Sequence, residues 1–257
     1  MSQTWMIASG KGGVGKSLIT ASLAIALAKH QIPTVAMDTD IGLRSLDMLL
    51  GLQNKIVYDV VDVANRDCKL KYALVPCAQH PLASLLPAAQ LGTAGDLDAE
   101  IVARIAKRLK KRYDYVLMDA PAGLERGVQN LLPAAEHTLL VVTPDDVSMR
   151  DGERLLARLD ANKTPRPMLV VNRIVPELVA QEKMYSPQTI ATTLDLPLLG
   201  YVPEDRAVLT ALQEHRTIMD DDCPAQQAME RICRRFLGEY VPMPSFAKKR
   251  LFFGRRK

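Results

Sequence analysis

Short apolar runs alternate with stretches of helical periodicity along most of the chain. The pattern predicts an α/β fold, a mostly parallel twisted sheet with helices on both faces. Strands are predicted at residues 5–8, 34–38, 73–75, 115–119, 138–142, 168–171 and 198–202. Between them, Ile19, Leu23, Ala26 and Leu27 form one stripe at three-to-four spacing, Ile101, Ile105 and Leu109 a second, and Met229, Ile232, Cys233 and Phe236 a third. Such stripes are helix faces turned to a core and imply no cofactor. No repeat or low-complexity linker interrupts residues 1–240. At Val241-Pro242-Met243-Pro244 two prolines are expected to end the last helix and to detach the remaining residues from the domain. The chain then divides into a domain of residues 1–240 and a linker with a terminal segment, residues 241–257.

Composition changes this picture chiefly at the end of the chain. With 257 residues, 48% hydrophobic and 24% charged, the sequence has room for a sizeable core, which excludes disordered, collagenous and disulfide-scaffold classes. Six of the 33 Lys and Arg residues (Lys248, Lys249, Arg250, Arg255, Arg256, Lys257) lie within 245–257, where none of the 29 Asp and Glu residues occurs. The formal charge of +4 therefore belongs to the tail. Three of the four phenylalanines (Phe246, Phe252, Phe253) lie there too, and a merely solvated charge run would not need them. Cys68, Cys77, Cys223 and Cys233 match no zinc, haem or thioredoxin spacing and read as reduced, mostly buried thiols. The start lacks a basic n-region, and the most apolar helix, residues 18–28, is too short to span a bilayer, so a cytoplasmic protein is expected.

The strongest chemical signal is Gly10-Lys11-Gly12-Gly13-Val14-Gly15-Lys16-Ser17, followed by Leu18. It satisfies the P-loop pattern G-x-x-x-x-G-K-[ST] directly after a predicted strand and directly before a predicted helix. The glycines let successive N–H groups turn inward on a phosphate chain, to which the helix adds its positive end. Lys16 is then expected at the β- and γ-phosphates, and the Ser17 hydroxyl at Mg²⁺. Asp38 and Asp40 end the second predicted strand, and Asp119 ends a later one, which places carboxylates beside the loop. Asp119 and Asp38 can support the shell of the metal. The N-K-x-D run of guanine readers is absent, so ATP is expected over GTP.

Lys11 lies outside the general pattern. With it, GKGGVGKS resembles the deviant Walker A motif of the ATPase family that includes the MinD and ParA proteins, and the likeness spans almost the whole chain. The segments 38–47, 119–125, 171–176 and 199–205 resemble the division-site-placing MinD branch most closely. The resemblance implies that Lys11 reaches across a homodimer to the partner's ATP, and that Asp40 orients the attacking water. It also implies a second switch at Gly123 and Glu125, and an adenine site at Asn172, Arg173, Pro203 and Asp205. Phe246, Leu251, Phe252 and Phe253, interleaved with Lys248, Lys249 and Arg250, resemble the family's membrane-targeting tail, which docks on an anionic membrane surface. On a helical wheel Leu251 and Phe252 lie well away from Phe246 and Phe253, so insertion without a regular helix stays open. The implied protein is a switch on the inner face of the cell membrane, with a MinC-like division inhibitor and a MinE-like or other activator as partners. A ParA-like or flagellar-number-regulating ATPase, or a nucleotide-dependent scaffold, would share the loop. For the first of these, the basic helix end Lys107, Arg108, Lys110, Lys111 and Arg112 could touch DNA phosphates, although a solvated face is the simpler reading of that run and nucleic acid is not the expected partner.

Overall fold

Along β1 (Gln3–Ala8), Trp5 and Ile7 enter one core and Met6 and Ala8 the other, and all four are buried. A strand apolar on both faces must be covered twice, which requires a layer of helices on each side. The computed structural model describes residues 2–123 and 126–246. After β1 come α1 (Lys16–Lys29), β2 (Thr34–Asp38), α2 (Leu46–Leu49), α3 (Val60–Asn65), α4 (Leu70–Ala73), β3 (Val75–Cys77), β4 (His80–Leu86), α5 (Ala99–Leu109) and β5 (Tyr115–Asp119). The chain continues with α6 (Arg126–Leu131), β6 (His137–Val142), α7 (Asp146–Ala161), β7 (Met168–Ile174), α8 (Pro176–Ala180), α9 (Pro187–Thr193), β8 (Leu198–Pro203), α10 (Arg206–Gln213) and α11 (Pro224–Phe236). The eight strands form one sheet in the order β3-β4-β2-β5-β1-β6-β7-β8, parallel except for β3 against β4. One core lies under α1, α2, α10 and α11, and the other under α3, α4, α5, α6, α7 and α9.

Three expectations need correction. The stripe expected of the first helix is a whole surface: every residue of α1 from Ile19 to Ala28 is buried, because α2 and α11 cover the side away from the sheet. The strand expected at residues 73–75 begins only at Val75, since Ala73 closes α4, and it pairs with an unforeseen strand, β4. Pro76 and Pro81 masked this hairpin in the sequence, yet both are exposed, Pro76 on the outermost strand and Pro81 near the start of β4, where a missing N–H is tolerated. Finally, α11 ends before the prolines. Gly238, at φ 88°, donates its N–H to the carbonyl of Arg235, and Glu239 donates to Arg234, the paired closure of a Schellman motif.

All four cysteines are free thiols, and three of them are buried. Burial pushes Cys77 and Cys233 up to about 12. No helix among the described residues is long and apolar enough to cross a membrane.

Candidate functional site

β1 delivers the chain to the carboxyl edge of the sheet between β5 and β6, and residues 9–15 turn it back into α1. No side chain caps α1, and its first turn holds no acidic residue. Its leading N–H groups and the positive end of its dipole are left for an anion. Gly15 closes the turn at φ 90°, and a Cβ there would lie 2.2 Å from Asn172 Nδ2. At Gly10 a Cβ would lie 2.2 Å from the backbone carbonyl of Asp151, so the loop and α7 approach as closely as backbones can. Gly12, Gly13 and Val14 complete the turn, and the Val14 carbonyl accepts a 2.8 Å hydrogen bond from Asn172 Nδ2.

Asp119 gathers the groups that α1 presents. Fully buried, it has Lys16 Nζ 3.1 Å from Oδ1, accepts from Thr20 Oγ1 at 2.8 Å, and accepts from Ser17 Oγ at 2.6 Å. The expected set Lys16, Ser17 and Asp119 is thus brought together. Thr20 is an addition to that set, and its position one helical turn after Lys16 is the signal in the sequence that could have flagged it. The register pairs Asp38 with Asp119. Asp38 accepts backbone N–H groups from Asp40 at 3.0 Å and from Ser45 and Leu46 at 3.1 Å, which folds the 39–46 loop around its carboxylate. Burial first, and the neighbouring Asp119 charge second, push the Asp38 carboxyl up to about 7 despite these donors. Asp40 is half-buried at the mouth of the site. Burial raises its pKa while Lys16 pulls it back.

Hydroxyl and carboxylate oxygens are hard donors and suit Mg²⁺, whose charge would relieve the repulsion between Asp38 and Asp119. Among the described residues no group of three or more His, Cys, Asp or Glu assembles.

Lys11 has a partner of its own. Its ammonium lies 3.0 Å from Asp145 Oδ1, and both side chains stay partly exposed. Asp145 caps α7 by accepting the Ser148 N–H at 2.9 Å, and it accepts the Thr143 hydroxyl at 2.6 Å. Burial works to raise its pKa, but these hydrogen bonds and Lys11 outweigh it and hold the carboxyl below the ordinary range. No local pattern points to Asp145, which is 134 residues from Lys11.

A cavity abuts the loop, lined by Gly15, Leu18, Asn172, Arg173, Pro203 and Asp205, together with Val208, Leu209 and Leu212 of α10. All the residues expected around the base therefore converge, and α10 adds an apolar wall that was not foreseen. The Asp205 carboxylate is engaged by the N–H groups of Ala207 and Ala225, at 3.0 Å each, and so starts both α10 and α11. Arg173 is exposed at φ 60°, with Nε 3.9 Å from Glu204. Of the expected second switch, Gly123 donates its N–H to the Ser9 carbonyl at 3.1 Å, while Leu124 and Glu125 lie outside the described residues. Of the tail, Phe246 is half-buried against Tyr201; Lys248, Lys249, Arg250, Leu251, Phe252 and Phe253 lie outside the described residues. The basic helix end is exposed at Lys107, Arg108, Lys111 and Arg112, whereas Lys110 pairs with Glu136 at 2.5 Å.

An anion cradle opening on paired carboxylates at the carboxyl edge of a parallel sheet is the arrangement of P-loop nucleotide-binding proteins. Comparison with known sequences is more specific. The profile described as the CobQ/CobB/MinD/ParA nucleotide binding domain matches residues 5–218, and the chain belongs to that family. Within it, the chain is similar to the septum site-determining protein MinD of Helicobacter pylori, 44% identical over 98% of this chain and 96% of the relative. It is 38% identical to that of Bacillus subtilis over 100% of both chains. Among solved structures, the MinC:MinD cell division complex of Aquifex aeolicus superposes with a TM-score of 0.88 at 35% identity, covering 95% of this chain and 99% of that one. MinD of Pyrococcus horikoshii, complexed with Mg-ADP, gives a TM-score of 0.82 at 26% identity over 92% and 96% of the two chains. The family and the fold read from the sequence are both borne out.

Proposed function

We propose that the chain is a Mg²⁺-dependent ATPase acting as a switch in placing the division site. ATP joins two copies, the paired tails hold the dimer on the inner face of the cell membrane, and a MinC-like inhibitor is recruited there. Hydrolysis to ADP and phosphate, stimulated by a MinE-like or other activator, releases it. The observation that carries this reading is the separation of the two loop lysines. Lys16 faces inward on Asp119, while Lys11 sits at the rim on Asp145, available to leave its own site. The Mg-ADP bound by the Pyrococcus relative and the MinC bound by the Aquifex one support the ligand and the partner.

In this reading the loop N–H groups and Lys16 hold the phosphates, with Asn172 and the apolar wall of α10 holding the base. Ser17, Asp119 and Asp38 hold Mg²⁺, which offsets phosphate charge at the transferring group. Asp40 orients the attacking water by accepting its proton in a hydrogen bond. Lys11 from the second copy places another cation on the phosphoryl group where charge develops. One tail binds weakly, and two on one dimer bind through effective concentration.

Sedimentation with anionic liposomes in ATP, in ADP and without nucleotide tests the scheme, run beside Lys11→Ala and a chain ending at Pro244. Pelleting should require ATP and fail in both variants, while Lys11→Ala still binds one ATP per chain. Pelleting without ATP, or retained after truncation, would remove the membrane switch.

A further inference from the structure

Beyond α11 the chain has no regular secondary structure through Phe246, yet it is fastened. Arg235 donates from Nε to the carbonyl of Val241 at 2.7 Å, from Nη2 to Pro242 at 2.8 Å, and from Nη1 to Leu199 of β8 at 3.1 Å. One planar guanidinium therefore ties the linker to the outermost strand. Further on, the Tyr201 hydroxyl donates to the carbonyl of Pro244 at 3.5 Å, and the ring of Phe246 packs on that of Tyr201 with centroids 4.9 Å apart. Tyr201 belongs to the core opposite α11, so the linker crosses the edge of the sheet from one helical layer to the other. Pro242 and Pro244 suit this path, since they favour extended backbone and carry no N–H to leave unpaired.

We infer that this strap sets where the membrane anchor leaves the fold, and that Arg235 and Tyr201 are positioning residues for lipid binding. The inference rests on the proposal that the tail binds anionic bilayers. Phe246 is then the last fastening of the strap among the described residues, and in this inference the lipid contact expected of Phe246 passes to the residues beyond it. With the strap closed, each anchor is held from Phe246; with it open, from Gly238, and the eight residues from Glu239 to Phe246 join the tether. Effective concentration falls roughly as the −3/2 power of tether length, so opening the strap should weaken two-tailed binding by about 3- to 10-fold.

Two variants test this. Arg235→Gln combined with Tyr201→Leu removes the guanidinium and the ring and hydroxyl that fasten the linker, and so opens the strap. A separate insertion of eight alternating Gly and Ser residues after Phe246 lengthens the tether equally and leaves every contact among the described residues in place. Affinity for phosphatidylglycerol-containing liposomes is measured in a non-hydrolysable ATP analogue, with dimer formation followed by light scattering. Both variants should dimerise as the parent does and bind liposomes about 3- to 10-fold more weakly. Parental affinity in either variant would overturn the inference, as would tighter binding by the double variant, which would make the strap a restraint on the anchor. If the chain ending at Pro244 binds as well as the full chain, the tail is no anchor, and the reading beneath the inference has failed instead.

Discussion

At the scale of single residues, Asp38 carries the sharpest physical consequence. Its carboxyl is raised from 3.8 to about 7, so between those values the folded protein holds a proton that the unfolded chain has lost. Stability without ligand therefore declines from this group as pH climbs from about 4 to 7 and stays reduced above. In the proposed metal site Mg²⁺ would relieve that penalty only once the carboxyl is ionised. The rise in Tm on adding Mg-ADP should be larger at pH 8 than at pH 6, and an equal rise would show that Asp38 is charged at both. Legibility at this scale depends on sequence distance. Lys16 and Ser17 announce themselves because the P-loop is one contiguous pattern with a mechanism attached. Asp145 does not, because an α7 cap becomes the partner of Lys11 only when β1 and β6 lie side by side.

At the scale of elements, α1 shows how far a periodic pattern can be trusted. Its four stripe residues predict the helix correctly, but its other alanines and Ser22 are just as buried, because small side chains let α11 and α2 close over the outer face. Leu23 sits in the middle of this packing with no exposure, and Leu23→Ala should cost about 2–5 kcal/mol, read as a lower midpoint in urea with an unchanged slope. A loss below about 1 kcal/mol would mean the two layers can collapse onto the gap. Where the fold was not legible, local chemistry misdirected: prolines that are harmless at an exposed edge hid the β3–β4 hairpin. The same residue type suggested too late an end for α11, which Gly238 closes without help from Pro242.

At the scale of the whole molecule, the order of the strands makes one site out of residues that the sequence scatters. β1 brings the loop between β5 and β6, β2 sets Asp38 beside Asp119, and β7 and β8 carry Asn172 and Pro203 to the cavity beside the loop. The same order leaves the sheet with two free margins. One is only three residues long and contains Pro76, which resists further pairing. The other is β8, and the strap lies across it. Cutting the protein back to its last helix would strip that cover and invite strand-by-strand self-assembly. A chain ending at Glu239 should therefore elute as soluble aggregates in size-exclusion chromatography, whereas one ending at Phe246 should elute as a single species, which would make residues 240–246 a guard against polymerisation.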